Sequence, residues 1–247
     1  MPEGPSIVIL KEEVQLFKGK KIIGVSGNTK TEKERLLNKK VIAFKSWGKH
    51  FLICFDGFYV KIHLLMFGSY RINERKENAP ERLSLQFKNG ELNFYTCSVK
   101  FIEGDANDHY NWETDTMSGE WNPQKALAAL KKKKSRMVCD VLMDQSIFAG
   151  VGNIIKNEVL FRIRVHPESE IMALPLPKRK ALVKETRNYC FEFYKWKKMF
   201  ELKKNWLIYR SKSCPRCKVK VKLRSTGEGG RRSFFCENCQ HLYKKQP

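Results

Sequence analysis

Four cysteines near the C-terminus fall into two close pairs, Cys214-Pro-Arg-Cys217 and Cys236-Glu-Asn-Cys239, with 18 residues between them. Two turns that each offer two thiolates close a tetrahedron around one Zn²⁺, and a four-thiolate set leaves no open coordination position. The pattern therefore predicts one structural zinc. It also fixes how the last 39 residues, 209–247, can fold, because their apolar content is too small to hold them without a staple. Between the pairs lies Gly229-Gly230-Arg231-Arg232-Ser233. A metal-supported hairpin would present Arg231 and Arg232, whose guanidinium forks suit bidentate binding of phosphate. The remaining cysteines, Cys54, Cys97, Cys139 and Cys190, are scattered, and in a reducing compartment the two tight pairs suggest metal and not disulfides.

Charge gives that phosphate a context. Lys+Arg total 48 against 26 Asp+Glu, a formal net charge of +22, while 42% of the residues are hydrophobic. The hydrophobic content argues for packed domains, and a charge so far from zero argues for a polyanionic partner, with nucleic acid ahead of an anionic membrane surface. No apolar run approaches the ~18 residues of a membrane span. The start, MPEGPSIVILKEE, lacks the basic n-region and apolar middle of a secretory signal, so an intracellular, cytoplasmic location is expected. A length of 247 residues suits two domains and a small appendage.

Residues 5–18 place Ile7, Leu10, Val14 and Phe17 at helical spacing, bracketed by Pro5 and Gly19. From 21 to about 102 the pattern changes to short β-rich runs at 41–44, 51–55, 58–63, 83–87 and 92–95, with Asp56-Gly57 and Asn89-Gly90 as hairpin turns. A polar stretch at 103–122 precedes helical signals at 123–134, 137–145, 154–161 and 178–197. The expected class is α+β: a β-sandwich over 1–120, a helical domain over 121–208 and a zinc finger over 209–247.

Two further segments attract attention. Ala149-Gly150-Val151-Gly152-Asn153 sits between helical segments, where glycines let a ligand approach the backbone and Asn153 could cap the next helix. A plain helical corner explains the same glycines; Lys156, Arg162 and Arg164 nearby favour a phosphate. At the N-terminus, removal of Met1 would expose Pro2 as a secondary amine followed directly by Glu3.

MPEGP, the Gly48-Lys49 pair before a strand, GVGN between helices, and a finger with an arginine before its second cysteine pair together resemble the formamidopyrimidine-DNA glycosylase/endonuclease VIII family. The resemblance runs in order over nearly the whole chain. It implies a bifunctional DNA glycosylase/AP lyase of base excision repair, with a helix–two-turn–helix in the helical domain and double-stranded DNA carrying oxidised bases or abasic sites as partner. The terminus suits that chemistry. An α-amino group titrates near ~8, below a lysine side chain, so more of it is free base at neutral pH. Attack on C1′ by a secondary amine gives a permanently cationic iminium that acidifies C2′, and Glu3 can supply the proton for sugar-ring opening.

Carried over position by position, the resemblance makes Lys49 a phosphate contact that assists β-elimination. Asn153 becomes a phosphate ligand of the helix–two-turn–helix. Arg231, five residues before Cys236, becomes the finger arginine of the δ-elimination, with Arg232 as a substitute. Leu65, Met66 and Phe67 become the side chains that fill the gap left by an everted nucleotide, the alternative being a buried strand end; His63 would order that loop. Zinc is the one implied cofactor, and a monomer suffices. Ser6 stands where many members have glutamate, which alters the proton relay. The stretch KKMFELKKNWLIYRSKSC has no Gly-Gly-Thr segment and little room for a long purine-covering loop, which favours oxidised pyrimidines. The alternatives are an oxidised-purine enzyme of the same family and a non-catalytic zinc-containing DNA-binding protein; a zinc ribbon of a larger assembly would explain the charge but neither MPEGP nor Lys49.

Overall fold

The computed structural model describes residues 2–133 and 136–244; Met1, whose removal would expose Pro2, lies outside them. The chain divides into two compact units, Met1–Asn111 and Trp112–Pro247.

The first unit opens with α1 (Gly4–Glu13), with Pro5 in its first turn, where a missing N–H is harmless because no helical acceptor exists there. Ile7, Leu10, Val14 and Phe17 are fully buried; Val14–Phe17 forms a 3-10 turn and Gly19, at φ +75°, ends the run. The strands are β1 (Ile22–Ser26), β2 (Ala43–Trp47), β3 (His50–Cys54), β4 (Phe58–His63), β5 (Ser69–Ile72), β6 (Leu83–Phe87), β7 (Gly90–Tyr95) and β8 (Ser98–Glu103), followed by one helical turn, α2 (Ala106–His109). They pair antiparallel in two four-stranded sheets, ordered β1-β6-β7-β5 and β2-β3-β4-β8. Phe44, Phe51, Ile53 and Val60 from one sheet share a buried cluster with Leu83, Leu85, Leu92 and Phe94 from the other, and α1 joins it through Ile7 and Leu10. This is a β-sandwich, with α1 packed on β2 and β3. Gly57 at φ +77° and Gly90 at φ +141° make the two expected hairpin turns.

The second unit contains α3 (Pro123–Lys131), α4 (Val138–Leu142), α5 (Asn153–Arg162), α6 (Leu176–Lys198) and the hairpin β9 (Lys222–Thr226) with β10 (Arg231–Phe235). Asn122 caps α3 by accepting the Lys125 N–H at 2.9 Å. The α5 helix is buried on every side from Asn153 to Phe161. Its polar residues are therefore inside, and three of them are satisfied by distant parts of the chain. Glu158 accepts the N–H groups of Leu207, Ile208 and Tyr209 at 2.9, 2.9 and 2.7 Å; burial pushes its carboxyl up in pKa and these donors pull it back. Lys156 donates to Ser233 Oγ at 2.9 Å and to the Arg232 carbonyl at 3.2 Å. Asn157 accepts the Phe234 N–H at 2.7 Å. The finger is thus seated on α5, and Phe161 shares its small core with Ile208, Val221 and the cysteines. Among the described residues no helix is long and apolar enough to cross a membrane.

Candidate functional site

Pro2 is half-buried and leads directly into Glu3, whose side chain is fully buried. Glu3 occupies the N-cap position of α1 with extended backbone, φ −120° and ψ 173°, yet its carboxylate makes no capping bond to that helix. Helix capping therefore does not account for burying an acid there. Ser6 is also buried, and its N–H donates to the Glu3 carbonyl at 2.8 Å.

Lys49 lies on the two-residue turn Gly48-Lys49 that joins β2 to β3, closed by the pair Trp47↔His50. Gly48 sits at φ +54°, a conformation that suits glycine. Because α1 packs on both strands, the turn and the N-terminal helix belong to one packed layer. His50 faces His63 across β3 and β4, ring centroids 5.5 Å apart. Burial, followed by the charges of Lys61, His63 and Lys49, pushes His50 down to about 4. His63 is lowered by burial and then by Lys49 and Lys61. Both imidazoles are neutral at neutral pH, so the positive charge around the turn belongs to lysines. The Tyr110 hydroxyl lies 3.3 Å from His50 Nδ1, and the Tyr110 ring is 5.0 Å from that of Trp47. Sequence reading missed this aromatic wall, because Tyr110 arrives from 60 residues away.

After β4 the chain turns sharply. Leu64 is buried, whereas Leu65, Met66 and Phe67 are 47%, 49% and 79% exposed. Leu65 has φ +51°, and the Gly68 N–H closes the turn on the Leu64 carbonyl at 2.7 Å. A Cβ on residue 68 would run into the Leu64 backbone. Three consecutive large apolar side chains held in water are not a buried strand end.

In the second unit, the glycine-rich turn between α4 and α5 is braced by Gln145, which accepts the Gly150 N–H at 3.0 Å and donates to the Met143 and Val151 carbonyls. Gly152, not Asn153, is the N-cap of α5, which corrects the expected capping role. Asn153 is the first helical residue, and its buried Oδ1 has no hydrogen-bond partner among the described residues. Such a group is costly unless something outside the chain meets it. Two nearby cations also differ from expectation. Lys156 is 1% exposed and spent on the finger, and Arg162 is held by Glu185 and Glu192 at 2.9 and 2.7 Å. Arg164 is exposed.

Arg231 and Arg232 open β10 and are both exposed. The tight loop before them is clamped by Asp140, which accepts the Glu228 and Gly229 N–H groups at 3.0 and 3.3 Å. Arg231 lines a cavity of about 330 Å³ together with Arg136, Asp140, Asp144 and Lys156. Asn157 ties the start of α5 to β10: its Nδ2 donates to the Asn153 carbonyl at 2.6 Å, and its Oδ1 takes the β10 N–H of Phe234.

The ligand atoms of Cys214, Cys217, Cys236 and Cys239 all lie within 4.8 Å of one another. Sulfur–sulfur separations of 3.4 Å (Cys217–Cys236) and 3.7 Å (Cys214–Cys239) match the ~3.8 Å expected for a tetrahedron with metal–sulfur bonds of about 2.3 Å. The Asn238 side chain and the Val219 N–H pull the Cys217 thiol down, whereas burial and then the neighbouring thiols push those of Cys236 and Cys239 up. The four residues fit one metal ion.

Comparison with known proteins decides the family. Residues 1–101 match the formamidopyrimidine-DNA glycosylase N-terminal domain and residues 114–191 the formamidopyrimidine-DNA glycosylase H2TH domain. The chain belongs to the formamidopyrimidine-DNA glycosylase/endonuclease VIII family. Mouse endonuclease 8-like 3 is 33% identical over 215 residues, covering 83% of this chain and 36% of that protein. This chain thus spans about a third of the length of its endonuclease 8-like 3 relatives. The formamidopyrimidine-DNA glycosylase of Lactobacillus helveticus (strain DPC 4571) is 26% identical over 280 residues, covering 99% of this chain and all of that one. Lactococcus lactis formamido-pyrimidine DNA glycosylase, non-covalently bound to DNA containing an AP site, shares the fold with a TM-score of 0.84 at 21% identity, covering 96% of this chain and 99% of that one.

Proposed function

We propose that the protein is a bifunctional DNA glycosylase/AP lyase that removes oxidised bases, pyrimidines foremost, and cuts the strand by β,δ-elimination. The observation that carries this reading is the start of α1: a secondary-amine position at Pro2 followed by a fully buried carboxylate, Glu3, that does not cap its own helix. In the reaction, the Pro2 nitrogen lone pair attacks C1′, the bond from C1′ to the base breaks, and the base leaves with a proton. Glu3 protonates the ring oxygen as the sugar opens, which leaves an iminium on Pro2. Loss of the C2′ proton then expels the 3′ phosphate, and a second elimination, from C4′, expels the 5′ phosphate.

Lys49, on its turn among neutral histidines, stabilises phosphate charge beside the lesion. Asn153 and Arg231 hold phosphates from the second unit, Asn153 by donating from its side-chain Nδ2, with Arg232 beside them. Leu65, Met66 and Phe67 enter the stack in place of the everted base. The cysteine-bound metal is zinc; it supplies no step and holds the β9–β10 hairpin in shape. The enzyme acts as an intracellular monomer on duplex DNA. Pyrimidine preference rests on the compact segment after α6, which folds as a 3-10 turn, Leu202–Asn205, with no long loop before the finger.

The test is borohydride trapping, with a free N-terminus, on duplexes carrying thymine glycol, dihydrouracil, 8-oxoguanine or an abasic site. A covalent adduct that Pro2→Gly abolishes, with duplex affinity retained, is the expected result. No adduct even on abasic DNA would overturn the catalytic reading, and base release confined to 8-oxoguanine would overturn the pyrimidine preference.

A further inference from the structure

The end of α6 carries a feature that neither the core nor the site above uses. The Phe200 N–H donates to the Lys197 carbonyl at 3.1 Å and the Glu201 N–H to the Trp196 carbonyl at 2.8 Å. These are the paired bonds of a Schellman motif, and they leave Phe200 at its left-handed position, φ +59°. Glycine suits that position, because a Cβ there crowds the backbone. Phe200 is also 96% exposed, and Met199 before it 56%. The backbone disfavours this side chain and the fold covers almost none of it, a combination that points to a contact from outside the chain.

The neighbours indicate what makes the contact. Lys195, Lys197, Lys198, Lys203 and Lys204 are all exposed, and the one acid among them, Glu201, lies 3.5 Å from Lys204 in a solvent-exposed pair that is weak enough for a phosphate to open. Lysines in a last helical turn complement the helix dipole; that explains the first three, but neither Lys203 and Lys204 beyond the helix nor the ring. An aromatic face among ammonium groups matches single-stranded nucleic acid, whose bases stack on the ring while its phosphates meet the lysines. One ring and one thioether are little apolar surface for a bilayer.

We propose that the C-terminal turn of α6 is a contact for single-stranded DNA, with Phe200 stacked on an unpaired base and Lys203 and Lys204 on the flanking phosphates. It draws on the proposed function only in taking DNA as the polyanion.

The experiment measures fluorescence anisotropy of a labelled mixed-sequence 12-mer with the full chain at two salt concentrations, for wild type, Phe200→Gly, Phe200→Trp and the double variant Lys203→Ala/Lys204→Ala. Phe200→Gly relieves the backbone and should melt about 2–4 °C higher, yet bind the strand roughly 5- to 100-fold more weakly. Phe200→Trp should restore binding, and the lysine variant should flatten the salt slope by about 1.4, the value for two phosphates on a single strand. Phe200→Gly binding as tightly as wild type overturns the proposal. So does Phe200-dependent binding to phosphatidylserine vesicles without any change in strand affinity. Wild-type cleavage of abasic duplex is measured alongside: its absence sinks the catalytic reading and leaves the anisotropy result to decide this contact by itself.

Discussion

Asn157 is the residue whose removal tests most directly how α5 and β10 are held together. It is 2% exposed, donates to the Asn153 carbonyl at 2.6 Å and weakly to the Arg232 carbonyl at 3.4 Å, and accepts the Phe234 N–H at 2.7 Å. Asn157→Ala deletes two well-formed hydrogen bonds worth about 1 kcal/mol each net, and strands the Phe234 N–H at a further ~1–2 kcal/mol. The Arg232 carbonyl keeps its bond from Lys156. The expected loss is therefore about 3–4 kcal/mol. Four of the five tryptophans, Trp112, Trp121, Trp196 and Trp206, lie in this unit, so urea denaturation followed by tryptophan fluorescence reports it. The midpoint should fall with an unchanged m-value. Asn157→Asp keeps the acceptor but turns a carboxylate toward two carbonyls, and should cost at least as much. Because Lys156 and Asn157 share the Arg232 carbonyl, Lys156→Met with Asn157→Ala should cost more than the sum of the single changes, by about 0.5–2 kcal/mol. A loss under about 0.5 kcal/mol for Asn157→Ala, or strict additivity in the cycle, would refute this account of the α5–finger junction.

Other outcomes follow from the same geometry. His50 titrates near 4 in the fold against about 6.5 unfolded, so the unfolded state alone takes up this proton between those values. Stability contributed by neutral His50 is present above pH 6.5 and lost as pH falls toward 4, by about 2–3 kcal/mol; His50→Phe should flatten that limb, and a pH profile identical to wild type would count against it. Chelation of the metal should release hydrogen-exchange protection across β9 and β10, and protection that survives a metal-free assay would show that the hairpin stands without its staple. Gly68→Ala should open the turn after β4, because the new methyl meets the Leu64 backbone. A fall in base release of tenfold or more is expected, and unchanged single-turnover rates would remove this loop from the reaction.

What could be read from the sequence was what short-range spacing encodes. The α1 stripe, the Asp-Gly and Asn-Gly turns and the paired cysteines each need fewer than about twenty residues of context, and all are present as expected. The strands not singled out beforehand, β1, β5 and β8, are all sheet edges. An edge strand is half solvated and polar at alternate positions, so its partners rather than its own residues define it. Lys156 was misread as facing a ligand because its acceptors on Arg232 and Ser233 lie 76 and 77 residues away. The His50–Tyr110 contact was hidden for the same reason. The exposure of Leu65, Met66 and Phe67 could not be read either, since a buried strand end has the same composition; a positive φ at Leu65 and the glycine closure at 68 separate the two.

Burial of α5 on all sides has a consequence for how this protein can change. Nine of its ten positions, Asn153 to Phe161, are enclosed, and α6, β10 and the segment 207–209 all pack on or bond to them. A saturation scan should find almost no neutral substitutions along this helix, Arg162 with its two ion pairs included, whereas the exposed face of α6 and the strand β9 should accept many. Within the second unit, change is then expected on the segment after α6 and on the exposed hairpin strand, while α5 stays as the fixed axle on which they are mounted.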